Sequence, residues 1–121
     1  MTARRGMGEL EAEVMGQLWG AGRPLTPSEV RARVAGGLAY TTVMTILGRL
    51  WDKGLAQRER QGRAYVYWPS VTDAELTAQR MRSVLDRTKD RESSLAHFVD
   101  DLPPKDERAL RRILGQLSAE G

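Results

Sequence analysis

The sequence has no cysteine and a single histidine, His97, and these two scarcities remove most catalytic and metal chemistry. Without cysteine the chain has no disulfide, no thiolate nucleophile and no cysteine-ligated metal centre. No apolar run approaches the roughly 18 residues that a membrane helix needs, and the first residues lack the apolar core of a secretory signal. We therefore predict a cytoplasmic binding protein that is not an enzyme, uses no cofactor or metal, and does not insert into a membrane.

The charge of the chain is distributed unevenly. The 121 residues are 29% charged, with a net charge of +3 at pH 7. Residues 1–70 carry a net charge of +4 and residues 71–121 one of −1, so the positive excess lies in the first part. Sixteen of the 19 basic residues are arginines, which suit phosphate and guanine recognition. Codon usage in a GC-rich genome gives the same arginine bias, but the uneven distribution indicates an anionic partner for the first part.

Two helices are predicted from apolar spacing and start signals. The first spans residues 9–19, where apolar residues recur every four positions at Leu10, Val14 and Leu18. The second begins at Thr26, which is the candidate N-cap, and Glu29 falls three residues later to close a capping box. A proline occupies the first helical position, where its missing N–H does no harm. The glycines at 36–37 are expected to end this helix.

A third helix over residues 40–53 is followed by a predicted β-hairpin. Strands over 55–60 and 63–69 flank a tight turn at 61–62. Three helices and a hairpin form a winged helix-turn-helix, a mainly α fold with a small β wing. Four aromatic residues of the third helix and the hairpin could pack in the core or form a stacking platform for single-stranded nucleic acid. Core packing is favoured, because the residues alternate within a half-buried strand. The four are Trp51, Tyr65, Tyr67 and Trp68.

The third helix has a buried seam and a second row of polar residues on another face. Threonine is a poor choice for an exposed helical row on helix propensity alone, which favours a functional reason for its presence. In a helix-turn-helix the second helix of the motif reads base edges in the major groove. The predicted DNA-binding residues are five on this helix and two beside the hairpin turn: Tyr40, Thr41, Thr42, Thr45, Arg49, Arg60 and Arg63.

Residues 71–121 read as a separate helical region, distinct from the DNA-binding domain at 1–70. Thr72 and Glu75 repeat the capping-box signature at its start. About 50 residues in three amphipathic helices bury too little apolar surface to be stable alone, so we predict that this region forms a twofold homodimer. The predicted dimerisation residues are apolar positions at helical spacing: Ala78, Met81, Leu85, Leu95, Phe98, Val99, Leu110, Ile113, Leu114 and Leu117.

Two segments of the first part carry a family resemblance. AYTTVMTILGRLWDKGL at residues 39–55 and GRAYVYWP at 62–69 resemble the penicillinase repressor family, which includes the BlaI, MecI and CopY repressors. The likeness is strong over residues 8–70 and looser beyond. It implies a dimeric repressor that binds a palindromic double-stranded operator overlapping a promoter and so excludes RNA polymerase. It also implies that Thr41, Thr42 and Thr45 contact the major groove and that the hairpin around residues 60–63 contacts the DNA backbone.

The resemblance carries an expectation about regulation as well. In the β-lactam branch of the family, a membrane sensor protease triggers cleavage at an Asn–Phe bond in the dimerisation region. The corresponding bond here is His97-Phe98, which departs from that pattern. Copper sensing through a C-terminal cysteine cluster is excluded, because the chain has no cysteine.

Two other functions stay open at this stage. The winged helix could bind a protein rather than DNA, in which case a stable heteromeric partner is expected and no operator footprint. Alternatively, a small molecule could bind between the helices of residues 76–99 and reset the dimer directly, in which case a metabolite would raise the thermal stability.

Overall fold

The computed structural model describes residues 6–120; residues 1–5 and 121 of the two predicted regions lie outside this range. Helices and strands follow in the order α1 (Met7–Ala21), α2 (Pro27–Arg33), α3 (Tyr40–Asp52), β1 (Ala56–Gln61), β2 (Ala64–Pro69), α4 (Asp73–Asp86), α5 (Arg91–Asp100) and α6 (Pro104–Glu120). In the described part of the chain, substantial packing between elements is confined to the first five. These elements form a winged helix-turn-helix, as the sequence predicts.

The start of α2 confirms the capping box. The backbone N–H of Glu29 donates to the Thr26 hydroxyl at 3.2 Å, and the N–H of Thr26 donates to the Glu29 carboxylate at 3.0 Å. The helix ends at Arg33, earlier than the two glycines indicate, because Val34 already has an extended backbone. These two hydrogen bonds satisfy backbone donors at the start of the helix that would otherwise lack a partner.

The core lies between the first three helices and the hairpin. Val14 and Met15 of α1 are fully buried, together with the predicted seam of α3 and with Leu25 and Val30, which lie on either side of the Thr26 cap. The α3 seam consists of Val43, Ile46, Leu47 and Leu50, each with no exposed surface. Burial of such side chains contributes about 1.5–3 kcal/mol each. One face of α3 is therefore fixed, and its opposite face lies in solvent.

The hairpin turn lies one residue later than predicted. Gln61 pairs with Ala64, so the turn is formed by Gly62 and Arg63 rather than by residues 61–62. Gly62 has a φ of 62°, the left-handed conformation that a tight hairpin needs at its first turn position. Leu25 exchanges two backbone hydrogen bonds with Tyr67, at 2.9 and 2.8 Å, which joins the hairpin to the segment before α2.

The contacts within the chain divide it into two compact units, one up to Thr77 and one from Ala78 onward. In the first unit, the indole N–H of Trp19 donates to the carbonyl of Val71 at 2.8 Å, and Leu76 is buried. α4 ends at Asp86. In the second unit, the Asp90 carboxylate accepts from the N–H of Ser93 and caps α5, which has no buried residue.

Candidate nucleic-acid interface

The sequence-predicted residues of α3 lie on the side of the helix away from the core. Thr41, Thr45 and Arg49 are exposed, and Thr42, which precedes the buried Val43, is half-buried. Tyr40 at the start of the helix is 42% exposed. None of these side chains is used in the core, so this face of α3 is available for a partner.

The Thr45 side chain has a fixed hydrogen bond. Its hydroxyl donates to the carbonyl of Thr41, one turn earlier, at 3.0 Å. This bond to the helix backbone uses the hydroxyl proton and holds one rotamer. What remains for a partner is an acceptor lone pair and a methyl group. Thr45 therefore suits a hydrogen-bond donor or an apolar methyl better than it suits an acceptor.

The first turn of α3 has no side-chain cap. Ala39 occupies the N-cap position and makes no side-chain hydrogen bond. The first N–H groups of a helix lack partners within the helix, and the helix dipole is positive at this end. The end of α3 that carries Tyr40 and Thr41 can therefore bind a phosphate oxygen through its backbone.

The hairpin exposes two basic side chains. Arg60 lies near the end of β1 and Arg63 within the turn, and both are exposed. Among residues 6–120, no carboxylate lies within ion-pair distance of either guanidinium, whereas Arg23 is paired with Glu29 at 2.7 Å. Uncompensated arginines at a hairpin tip favour an anionic partner.

The aromatic residues divide between core and surface, which partly corrects the sequence prediction. Tyr67 is buried and Trp68 half-buried, as core packing requires. Trp51 and Tyr65 are 41% and 36% exposed, so they are not core residues. Their outer positions follow from geometry: Trp51 lies near the end of α3 and Tyr65 beside the hairpin turn, where the core has ended.

These two exposed rings enclose a third arginine of the hairpin, Arg58, which is not among the predicted DNA-binding residues. The guanidinium carbon of Arg58 lies 3.8 Å from the centroid of the Trp51 ring and 4.5 Å from that of Tyr65. The hairpin alternation puts Arg58 and Tyr65 on one face as diagonal neighbours, so this half of the cluster was a readable signal. The other half depends on how α3 packs against the hairpin.

Two carboxylates, those of Glu29 and Glu11, form ion pairs within the elements that carry the candidate interface. The pKa of Glu29 is lowered from 4.5 to about 2, first by the side-chain hydrogen bond from Arg23 and next by the backbone N–H of Thr26. Glu11 is 6% exposed and accepts from Lys53 at 2.7 Å.

Within the described range, no three His, Asp or Glu side chains gather as a metal site would require.

The predicted dimerisation residues are largely exposed in a single chain. Exposure reaches 56% for Met81, 50% for Phe98 and 57% for Leu114. Ala78, Leu85 and Leu110 are half-buried, and Leu95, Val99, Ile113 and Leu117 are exposed. His97 is exposed too, and the His97-Phe98 bond lies within helix α5. No described helix is both long and apolar enough to cross a membrane.

Three helices and a hairpin, with α2 packed on α3, form a winged helix-turn-helix, a fold that many transcriptional regulators share. The chain belongs to the penicillinase repressor family, whose sequence pattern matches residues 7–116. It is similar to the transcriptional regulator BlaI of two Mycobacterium tuberculosis strains, CDC 1551 / Oshkosh and ATCC 25618 / H37Rv. Each is 39% identical over 118 residues, covering 93% of this chain and 86% of the relative. The family resemblance is thus confirmed, as is the expectation of a regulator rather than an enzyme.

Solved structures give a further, more distant likeness. A probable transcriptional regulator from Pseudomonas aeruginosa is 20% identical, with a TM-score of 0.48, over 89% of this chain and 76% of that chain. A mutant form of MarR from E. coli is 16% identical, also with a TM-score of 0.48, over 89% of this chain and 75% of that chain.

Proposed function

We propose that this transcriptional repressor acts in the cytoplasm as a homodimer on a palindromic double-stranded operator that overlaps a promoter. The observation that carries the proposal is the exposed face of α3, which presents Thr41, Thr45 and Arg49 opposite a fully buried seam. A helix of this kind fits the major groove, where side chains distinguish all four base pairs. Repression then follows from competition with RNA polymerase for the same DNA.

The proposal assigns different tasks to the two parts of the interface. Thr41, Thr42 and Thr45 contact base edges, and Arg49 contacts either a guanine or a phosphate. Tyr40 and the uncapped first turn of α3 contact the backbone. Arg60 and Arg63 add salt-dependent affinity without sequence preference, because phosphates are the same at every position.

Residues 71–121 are proposed as the dimerisation region and residues 1–70 as the DNA-binding region. The support is the set of apolar side chains that one copy leaves half or more exposed on α4, α5 and α6, among them Met81, Phe98 and Leu114. A second copy that covers them joins two DNA-binding domains, so the second half-site is bound at a high effective concentration. Twofold symmetry then requires half-sites one helical turn or a multiple apart.

Release from the operator is proposed to occur by cleavage in the dimerisation region, in response to β-lactams or cell-wall stress and through a membrane sensor protease. The His97-Phe98 bond lies in α5, and proteases bind extended backbone, so the helix must open first. Within one copy α5 buries none of its ten residues, so the contacts that oppose its opening are chiefly those made by the second copy. Cells treated with a β-lactam should yield a fragment ending near residue 97. If the promoter became active in treated cells while the repressor remained uncleaved, this route would be contradicted.

Operator binding is tested with the DNA upstream of the repressor's own gene. The affinity of the purified full chain for this DNA and for unrelated duplex should be measured over a series of salt concentrations. We expect tighter binding to the upstream DNA and a steep loss of affinity with salt, since bound phosphates release counterions. Equal and salt-independent affinities would contradict operator binding, and a stable protein partner without a footprint would favour an interaction module.

A further inference from the structure

Arg58 is held by two aromatic rings that come from different elements. Trp51 belongs to α3 and Tyr65 to β2, while Arg58 lies on β1. The guanidinium carbon is 3.8 Å from one ring centroid and 4.5 Å from the other, which is well within cation–π distance. The three side chains therefore join the predicted recognition helix to both strands of the hairpin.

The cluster supplies attachment where the hydrophobic core provides little. Towards the closed end of the hairpin, Arg60, Gln61, Gly62, Arg63 and Ala64 are all exposed. The buried residues of the hairpin are Ala56, Val66 and Tyr67, which lie away from its closed end. A two-stranded hairpin is marginally stable by itself, so its outer half depends on what it packs against.

The guanidinium of Arg58 also lacks a carboxylate partner within the described residues. Arg91 and Arg111, by contrast, each form an ion pair, with Asp86 and Glu107. Stacking uses the faces of the guanidinium plane and leaves its N–H donors at the edge. An ion pair with a carboxylate could also hold Arg58 in place, but it would neutralise the positive charge beside the proposed DNA-binding surface. Stacking on aromatic rings keeps that charge.

We propose that Arg58 is a positioning residue for DNA binding: clamped between Trp51 and Tyr65, it fixes the hairpin against α3 so that Arg60 and Arg63 contact the duplex that α3 reads. This inference rests on the proposed DNA-binding function. If the hairpin were mobile in the free protein, binding to DNA would have to order it, and the lost conformational entropy would weaken the affinity. A hairpin that is already fixed against α3 avoids this entropy cost on binding.

Two variants test the positioning role without removing a cation from the interface. Arg58→Lys keeps the charge but loses the planar stacking surface, and Trp51→Leu leaves every cation in place. Arg80→Lys is the matched control, since Arg80 is exposed on α4 and has no role in the proposed DNA contacts. Tyr65→Leu provides a second ring variant, and thermal unfolding verifies that each protein is folded.

Affinity and its salt dependence separate positioning from direct contact. We expect Arg58→Lys and Trp51→Leu to weaken operator and unrelated duplex alike by about fivefold to tenfold, the scale of losing one or two cation–π contacts. The slope of log affinity against log salt should stay as in the wild type, because the number of cations is unchanged. Arg80→Lys should bind nearly as the wild type does. Wild-type affinity in Trp51→Leu would overturn the proposal and leave Arg58 as a phosphate contact at most.

Hydrogen exchange gives a readout that needs no DNA. In the free full-length protein, backbone amides of residues 58–66 should exchange faster in Arg58→Lys and Trp51→Leu than in Arg80→Lys. Unchanged exchange in both variants would overturn the clamp itself. If the wild type binds no duplex while the exchange result holds, then the proposed DNA-binding function fails and the clamp on the hairpin survives.

Discussion

The ammonium nitrogen of Lys53 lies 2.7 Å from a carboxylate oxygen of Glu11. Glu11 belongs to the buried side of α1, and Lys53 is the C-cap residue that directly follows α3. The side chain of Glu11 is only 9% exposed and that of Lys53 is 54% exposed. The ion pair therefore holds the end of α3 against the core, and the carboxylate of Glu11 is largely shielded from water.

Lys53→Met should destabilise the first unit by about 1–3 kcal/mol, because it leaves a buried carboxylate without its partner. Denaturant unfolding of the full chain, monitored by tryptophan fluorescence, measures the change. The double variant Glu11→Leu/Lys53→Met should recover part of the loss, since no uncompensated charge remains. A double variant as unstable as the sum of the two single variants would contradict this coupling.

Glu29→Gln should remove one component of acid sensitivity. Arg23 and the N–H of Thr26 lower the pKa of Glu29 to about 2 from 4.5, so the ionised carboxylate is favoured in the folded state. A lowered folded-state pKa contributes stability that is complete above about pH 4.5 and is lost as the pH falls towards 2. Thermal midpoints of wild type and Glu29→Gln should therefore converge through this window. A constant difference between the two down to pH 2 would show that Glu29 stabilises α2 without its charge.

Thr45→Ala and Arg63→Ala should separate sequence readout from general affinity. Loss of the Thr45 methyl and hydroxyl is expected to reduce the preference for operator over unrelated duplex, by about 1–3 kcal/mol for a good base contact. Loss of Arg63 should weaken both duplexes alike and reduce the salt slope by about one unit. Competition binding at several salt concentrations measures both effects. The reverse pattern would mean that the two roles are exchanged.

Leu114→Asp should convert the proposed dimer to monomer without unfolding the chain. Leu114 is 57% exposed in a single copy, so the new charge has no cost until a partner covers it. Gln116→Asp is the matched control, because it adds the same charge elsewhere on α6. Sedimentation at micromolar concentration measures the state of assembly. A wild type that is already monomeric, or a Leu114→Asp variant that stays dimeric, would contradict the proposed interface.

Features that depend on neighbours in sequence were predictable. The capping boxes at Thr26 and Thr72 both form, because cap and N3 residue lie three positions apart. The buried seam of α3 followed from its helical period. The hairpin turn was misplaced by one residue because Gly62 can occupy either turn position, and only the strand register decides between them.

Features that depend on distant segments were not predictable in the same way. Glu11 is 42 residues from Lys53 in the chain, and no local pattern marks it as buried. The position of Trp51 over Arg58 likewise requires the packing of α3 on the hairpin. Periodicity could thus select the exposed face of α3 but not the side chains that fix the hairpin beside it.

The central claim is that the exposed face of α3 lies in the major groove and that Thr45 contacts a base there. Replacing each thymine of the operator by uracil removes only the C5-methyl group, which lies in the major groove. The affinities of wild type and Thr45→Ala for this series of duplexes test the contact directly. We predict at least one position in each half-site where uracil weakens the wild type but not Thr45→Ala, since the hydroxyl proton of Thr45 is already donated to Thr41 and its methyl group remains for the thymine. Identical uracil profiles for the two proteins would contradict the claim.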